Sequence, residues 1–315
     1  MPVLPQKVSP TVISLFSGCG GSSLGYRLAG YRELYAVDWD KTAGTSFQKN
    51  FPDVKLYLGD IKELPSEKIL KETGLSKGGL DVLDGSPPCQ GFSTAKGKRR
   101  LDDDRNFLFK EYFRIVEGLQ PRALVAENVV GLTTGPMKVV FAYIVKCLED
   151  LGYNVNCMVL NSANYGVPQL RRRLIWIGYR KDINEFPVYP MPSKTPVTVN
   201  GILDGCPEGK KEKLSPKLEM LWYRTKPGQK MGTSTHLFSW VKVNPNFPSP
   251  TITAFRCLAH WAEPRFLTIP EIKRCHSYPD GFILEGNQLE QWKQVGNSVP
   301  PLMMKAIADK VKEAL

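Results

Sequence analysis

Cys89 has the setting of a reactive residue. It follows Pro87 and Pro88 and precedes Gln90-Gly91-Phe92-Ser93. Two prolines stiffen a turn, and a thiol whose pKa is lowered by backbone donors or a nearby cation is a strong nucleophile. A lone cysteine is more often a small buried hydrophobe, but turn-formers and polar neighbours make a poor core environment. A second candidate is Glu127, in Glu127-Asn128-Val129 at the end of an apolar run. Its carboxyl could face a ring nitrogen and an adjacent amino group, or it could be an ordinary surface acid. Gln169, Arg171 and Arg173 form a third group. Alternate residues of a strand share a face, so the three would point together; otherwise they are part of a solvated basic run.

A glycine-rich turn, Phe16-Ser-Gly-Cys-Gly-Gly21, opens the chain's first repeat of strand and helix. Glycines admit a ligand close to the backbone, and the helix N-terminus behind them favours an anion. Ser23 stands where the dinucleotide fingerprint has its third glycine. The turn therefore suits a carboxylate-bearing nucleoside as well as a pyrophosphate, or is simply a tight connection. Asp38 ends the next apolar run and could hold two ribose hydroxyls. Trp39 could stack on a purine or pack in the core. Asp60 could accept a bond from an amino group or cap a helix.

These residues need a scaffold that gathers them. The pattern predicts strands over 12–16, 34–37, 55–58, 81–84, 124–126, 153–160 and 174–179, with helices over 22–29, 106–119 and 138–151. Such alternation builds a largely parallel α/β sheet, and ligands bind beyond the carboxyl ends of its strands. The turn after Phe16, Asp38-Trp39, Asp60, the Ser86 to Cys89 turn and Glu127 all fall at such ends. After Tyr179 prolines at 187, 190, 192, 196 and 207 break the periodicity. The stretch 181–265 reads as short β-like pieces of a second, smaller domain, with Met231 to His236 as an exposed loop. An amphipathic helix over 301–315 would pack back on the first domain.

The 315 residues permit one large or two unequal domains. Seven cysteines are scattered, without a Cys-x-x-Cys pair, and the three histidines lack ligand spacing. This argues against a disulfide framework and a metal site, and for a reducing compartment. No apolar run approaches the roughly 20 residues of a membrane span, and the N-terminus lacks a signal-peptide layout. A cytoplasmic protein is expected. The net charge of +11 suits a polyanionic partner.

Taken in order, these motifs resemble the cytosine-5 DNA methyltransferase family over nearly the whole chain. The glycine turn, Pro88-Cys89-Gln90, Glu127-Asn128-Val129, Gln169-x-Arg171-x-Arg173, Arg265-Phe-Leu-Thr-x-x-Glu271 and Gln294-Val-Gly-Asn297-Ser298-Val-Pro300 match six family motifs. The resemblance implies a Rossmann-like methyltransferase fold, a mixed sheet with helices on both faces, plus a smaller irregular β-rich target-recognition domain. It divides the chain into a catalytic and cofactor-binding domain (1–185), a target-recognition domain (186–286) and a returning C-terminal segment (287–315).

The resemblance also assigns roles. S-adenosylmethionine would lie against Phe16, Gly18, Cys19, Gly20, Gly21, Asp38, Trp39, Asp60, Ile61, Ser86, Pro88, Leu108, Asn297 and Ser298, with no metal. Cys89 would attack C6 of a flipped-out cytosine, Glu127 would hold N3 and the amino group, and Arg173 with Arg171 would hold the base carbonyl and a phosphate. Gln169 and Asn128 complete the catalytic motifs. Gln90, Ser93, Lys96, Lys98, Arg99, Arg100, Arg224 and Arg256 would meet double-stranded DNA. The chain departs from the family's pattern at Asp38, where glutamate is common, and at Arg274-Cys-His-Ser-Tyr-Pro279 in the ninth motif. A stand-alone bacterial or phage enzyme acting as a monomer, with a restriction endonuclease as functional partner, is the expected biology. Two rival readings are a transfer-RNA cytosine-5 methyltransferase and a cofactor-binding regulator without catalysis. The recognition-sized segment after 181 speaks against the first, and the retained Cys89, Glu127 and Arg173 against the second.

Overall fold

The computed structural model describes residues 9–88, 107–193, 195–232 and 240–315. Its first part runs β1 (Thr11–Leu15), α1 (Gly21–Leu28), β2 (Arg32–Asp38), α2 (Lys41–Asn50), β3 (Lys55–Leu58), α3 (Ser66–Thr73), β4 (Val82–Gly85), α4 (Phe107–Leu119), β5 (Ala123–Val129), α5 (Lys138–Asp150), β6 (Tyr153–Asn161) and β7 (Arg172–Arg180). Seven strands form one sheet in the order β3-β2-β1-β4-β5-β7-β6. The first five pair in parallel, and β7 runs antiparallel to both its neighbours. The connection from β6 to β7 spans only residues 162–171, too short for the crossover of a dozen or more residues that parallel pairing needs. Hence β7 turns back and inserts beside β5.

Both faces of the sheet are covered, which is why β1 and β4 read as unbroken buried runs. Ile13, Leu15, Leu83 and Leu124 pack on one face against Ile69, Tyr112, Ile115, Val116 and Ile144 of α3, α4 and α5. Val12, Val82 and Val125 pack on the other against Tyr26 of α1 and the last helix. The alternation follows from the period of two in a strand. Periodicity alone leaves α2 undetected: it is mostly polar, carries a glycine, and begins because Asp40 caps it, accepting from Thr42 N at 3.1 Å and Ala43 N at 3.2 Å.

The remaining chain carries α6 (Asn200–Leu203), α7 (Pro216–Arg224), β8 (Val241–Lys242), β9 (Leu258–Ala259), α8 (Ile269–Cys275), α9 (Gln288–Asn297) and α10 (Pro301–Lys312). Among the described residues here, regular strand is confined to the two-residue pair β8 and β9, and irregular backbone carries most of the rest. Capping boxes start α8 and α9, at Thr268 with Glu271 and at Asn287 with Glu290. Met231, expected in an exposed loop, is buried with Leu214, Trp222 and Ala259, because its apolar side chain completes that small cluster; residues 233–236 of the same run lie outside the described residues. Ile252, Leu258, Tyr278, Phe282, Trp292 and Val295 share a core with Phe47 of α2 and Phe51, which follows it. α10 returns to α1 so closely that a Cβ on Gly25 would stand 2.6 Å from Met304 Cβ.

Candidate active site

A cleft of about 730 Å³ opens beyond the carboxyl ends of β1, β2, β4 and β5. It is lined by Phe16, Gly18, Cys19, Gly21, Asp38, Trp39, Ser86, Pro88, Glu127, Asn128, Arg171, Arg173, Asn297 and Ser298 of the residues singled out in the sequence. Parallel strands bring their ends to one edge of the sheet, so residues far apart in the chain meet there. Gly20, Asp60, Ile61, Leu108 and Gln169 are not among the lining residues. Gly20 faces the Phe51 ring, 2.3 Å from where its Cβ would be. Ile61 is in the core and Leu108 packs against it. The Asp60 side chain accepts from Lys62 N at 3.0 Å and starts a short 3₁₀ turn.

One end of the cleft suits a nucleoside. The chain leaves β1 through Phe16 at φ 58° and Gly18 at φ 55°, the first a strained conformation for a side chain of that size. A Cβ on Gly18 would meet nothing within 4 Å, so this backbone faces open space. Asp38 accepts from Gly18 N at 2.6 Å and from Asp40 N at 2.8 Å. Burial pushes its carboxyl pKa up, against those backbone donors. Trp39 beside it is 79% exposed at the cleft's edge, the position of a stacking platform rather than of a core residue. The Cys19 sulfur instead sits in the core against Tyr278 Oη at 3.4 Å. Burial pushes that thiol up to about 12, so only its backbone is available to a ligand.

The other end holds the catalytic candidates. Glu127 Oε1 receives Arg173 Nε at 2.7 Å, with both side chains largely buried. Antiparallel pairing explains the contact: Val129 of β5 lies opposite Arg173 and Glu127 opposite Ile175. The start of β7 thus meets the end of β5, and residues two apart share a face. Had β7 run parallel, its arginine would emerge at the far edge of the sheet. Burial pushes the Arg173 pKa down and Glu127 counters it. Gly85 pairs with Ala126, which sets Ser86, Pro87 and Pro88 next to Glu127. Asn128 Nδ2 donates to Pro87 O at 2.8 Å while its Oδ1 accepts from Val129 N at 2.8 Å. It pins the proline turn from which Cys89 continues. Cys89 itself lies outside the described residues, as do Gln90, Ser93, Lys96, Lys98, Arg99 and Arg100.

Gln169 and Arg171 do not lie on β7 with Arg173, as alternation suggested; they precede it. Arg171 is buried, donating to Ile252 O at 2.9 Å, Gly296 O at 3.0 Å and Ser298 O at 2.9 Å. Its guanidinium reaches the cleft with these donors already engaged, so it holds the cleft's walls together. Gln169 is equally buried. Its Oε1 accepts from Ile252 N at 3.0 Å and its Nε2 meets His276 Nδ1 at 2.9 Å. His276 Nδ1 must then accept, which leaves Nε2 to donate to Ser298 O at 3.1 Å. Burial, then the Arg171 charge, push the His276 pKa well down. The Gln169-His276-Ser298 chain was missed in the sequence. Its signal was the departure from family pattern at Arg274-Cys275-His276.

In the segment after 186, Arg224 ends α7 and is exposed. Arg256 is committed within the protein: it pairs with Glu212 and stacks over Phe266, 4.8 Å from the ring centre. An arginine so held reads DNA only by giving up both partners. Arg265 bonds Glu271 through two nitrogens, each at 2.8 Å.

Residues 10–246 and 223–313 match the family described as C-5 cytosine-specific DNA methylase. The chain belongs to that family. It is a DNA cytosine-5 methyltransferase, with S-adenosylmethionine as methyl donor. The chain is 36% identical over 327 residues to the Type II methyltransferase M1.HphI of Haemophilus parahaemolyticus, covering 96% of this chain and 87% of that one. Identity to the Type II methyltransferase M.XorII of Xanthomonas oryzae is 30%, over 97% of this chain and 85% of the relative. Among solved structures, a prophage-encoded E. coli protein described as a DNA modification methyltransferase superposes with a TM-score of 0.83 at 25% identity, over 97% of this chain and 99% of the other. A DNMT2 variant of Spodoptera frugiperda shares the fold, with a TM-score of 0.71 at 19% identity and coverage of 97% and 99%. Among the described residues no helix is long and apolar enough to cross a membrane.

The residues at the β1 and β2 end of the cleft fit the methyl donor: a platform, a carboxylate and open glycine backbone are what an adenosine with an amino-acid tail needs. Trp39→Ala is expected to weaken S-adenosylmethionine binding about tenfold, since stacking of a base on an aromatic ring contributes roughly 1–3 kcal/mol. Because Trp39 is exposed, the melting temperature should hardly move. Calorimetric titration of the variant checks this, and an unchanged affinity would remove Trp39 from the cofactor site.

Proposed function

We propose that this methyltransferase acts on a cytosine swung out of double-stranded DNA, with Cys89 as nucleophile and Glu127 and Arg173 as the groups that hold the base. The observation that carries the proposal is the Glu127–Arg173 pair set beside the Pro87-Pro88 turn, in the same cleft as Asp38 and Trp39. Cytosine C5 is too weak a nucleophile to take a methyl group unaided. The Cys89 thiolate would add to C6, forming the S–C6 bond while the C5–C6 electron pair moves toward C5 and N3. Glu127, a carboxylate against Arg173 in the free protein, would carry the proton that Cys89 gives up on forming its thiolate, donate it to N3 and accept from the amino group with its other oxygen. Arg173, whose Nη1 donates to the Arg172 carbonyl at 2.8 Å, would turn its remaining guanidinium N–H groups to the C2 carbonyl. The bound donor supplies an electrophilic methyl, and C5 takes it. Loss of the C5 proton to a base then restores the C5–C6 double bond and expels Cys89. Splitting one hard step into these is what covalent catalysis achieves, and the base must leave the stack for C5 and C6 to be reached.

Residues 186–286 are assigned here as the part that recognises the target sequence, with Arg224 and the basic run 96–100 on the DNA. The relatives' names, Type II methyltransferases of bacteria, support a modification enzyme; a restriction endonuclease as functional partner, a cytoplasmic location and action without a metal belong to the same proposal. Both ends of the cleft come from one chain, which supports action as a monomer. The test is methyl-labelled donor with duplex DNA or transfer RNA, and Cys89→Ser as control. Label recovered as 5-methylcytosine in DNA and lost in Cys89→Ser is the expected result. Label confined to RNA would move the substrate, and label retained in Cys89→Ser would overturn the nucleophile.

A further inference from the structure

A buried polar layer lies under the cleft, where an apolar one would ordinarily separate α1 from the sheet. Asp84 of β4 is 2% exposed and stands directly before Gly85 and Ser86. Ser14 of β1 is its neighbour in register. From α1, Ser22 reaches Asp84, and Tyr26 Oη donates to its Oδ1 at 3.4 Å. Glu33 of β2 is buried in the same layer, accepting from Ser23 Oγ at 2.8 Å. Ser14 Oγ faces the Glu33 carboxyl, although neither it nor Glu33 Oε2 makes a close hydrogen bond among the described residues. Burying a carboxyl group is costly, so a chain that keeps two of them under its ligand cleft invites a functional reading.

The placement gives one. Ser22 and Gly21, at the start of α1, line the cofactor end of the cleft, and Ser86 to Pro88 line the end from which the nucleophile emerges. Asp84 touches the first wall and is covalently continuous with the second. We propose that Asp84, as a neutral acid, is a positioning residue that clasps the cofactor helix α1 to the turn carrying Cys89. The proposal rests on the methyl-transfer reading above. Burial pushes the Asp84 carboxyl up to about 8 and that of Glu33 up to about 7. The titratable groups facing Asp84 are Tyr26 from α1, Glu33 from β2, Tyr112 from α4 and Glu127 from β5, while β1 presents only the neutral Ser14. Among the described residues no cation faces it; the Ser22 and Tyr26 hydrogen bonds favour the carboxylate, and burial outweighs them.

A carboxyl whose folded pKa is raised favours folding most below its unfolded value, and that contribution declines as pH rises through the folded value. The clasp should therefore loosen on the alkaline side, above about pH 8. Two variants, Asp84→Asn and Asp84→Leu, are compared with the natural chain and with Tyr26→Phe, in cofactor titrations from pH 6.5 to 9.5 and in methylation assays at saturating DNA. In the natural chain donor affinity should fall about tenfold across that range. Asp84→Asn, which stays neutral and keeps its hydrogen bonds, should hold its affinity throughout. Asp84→Leu should fold but bind the donor about tenfold more weakly at every pH, raising KM more than it lowers kcat; Tyr26→Phe should move the same way less far. A flat profile in the natural chain, or an Asp84→Leu protein with natural affinity and KM, overturns the clasp. The binding arm requires no turnover, so absence of 5-methylcytosine from the natural chain would sink the methyl-transfer reading without deciding the affinity comparison.

Discussion

Glu127→Gln is expected to slow methyl transfer by about 10²–10⁴-fold while leaving donor binding within a few-fold of its starting value. The range is that of a positioned proton donor removed from a transition state. Glutamine keeps the length of the side chain, and its amide can still donate a hydrogen bond to N3 of the base. It cannot deliver a proton there, so the electron pair displaced when Cys89 adds to C6 has no acid to receive it. The substitution also removes the carboxylate that Arg173 pairs with at 2.7 Å, leaving a largely buried guanidinium without its counter-charge. That second effect belongs to stability, and denaturant unfolding separates it from the rate. Single-turnover methylation with the DNA complex preformed reads the chemical step alone. A variant that retains natural single-turnover rates would show that Glu127 balances Arg173 and does nothing to the base.

The geometry behind that prediction was only partly legible in the sequence. The apolar runs and glycine turn located the strand ends, and Asp38, the Pro87-Pro88 turn and Glu127 duly meet at one cleft. The direction of β7 was visible too, in the shortness of the link after β6, but only once the two were known to be neighbours. Two kinds of residue escaped. The first is held by backbone chemistry that no period records, as with α2, which starts because Asp40 offers its carboxylate to two N–H groups. The second is polar residues turned inward: Gln169 and Arg171 read as catalytic or solvated groups, and His276, Asp84 and Glu33 drew no role, yet all five are buried. A charge is tolerated inside only where specific partners await it, and those partners come from remote parts of the chain. Ile252 and Ser298, which receive Arg171, lie 81 and 127 residues away.

Arg171 supplies the sharpest consequence of that distinction. Arg171→Met should destabilise the fold by about 3–5 kcal/mol: hydrogen bonds to a charged group contribute about 1.5–3 kcal/mol each, three are lost, and relief of the buried charge, whose pKa burial pushes well down, offsets part of the sum. The carbonyls of Ile252 and Gly296 lose this donor together, and that of Ser298 is left with His276 Nε2 alone. Methionine fills much of the volume, so the loss reports the hydrogen bonds more than a cavity. Lysine should recover little: a single ammonium cannot span acceptors that a planar guanidinium reaches from two nitrogens. The urea midpoint should fall for both variants with the slope of the transition unchanged. Ile252 belongs to the proposed recognition segment and Gly296 and Ser298 to the returning one, so loss of this strut should also raise KM for DNA and donor together. If the unfolding free energy fell by less than about 1 kcal/mol while kcat collapsed, Arg171 would be touching the substrate, and the role given it by resemblance would stand in place of the one its hydrogen bonds describe.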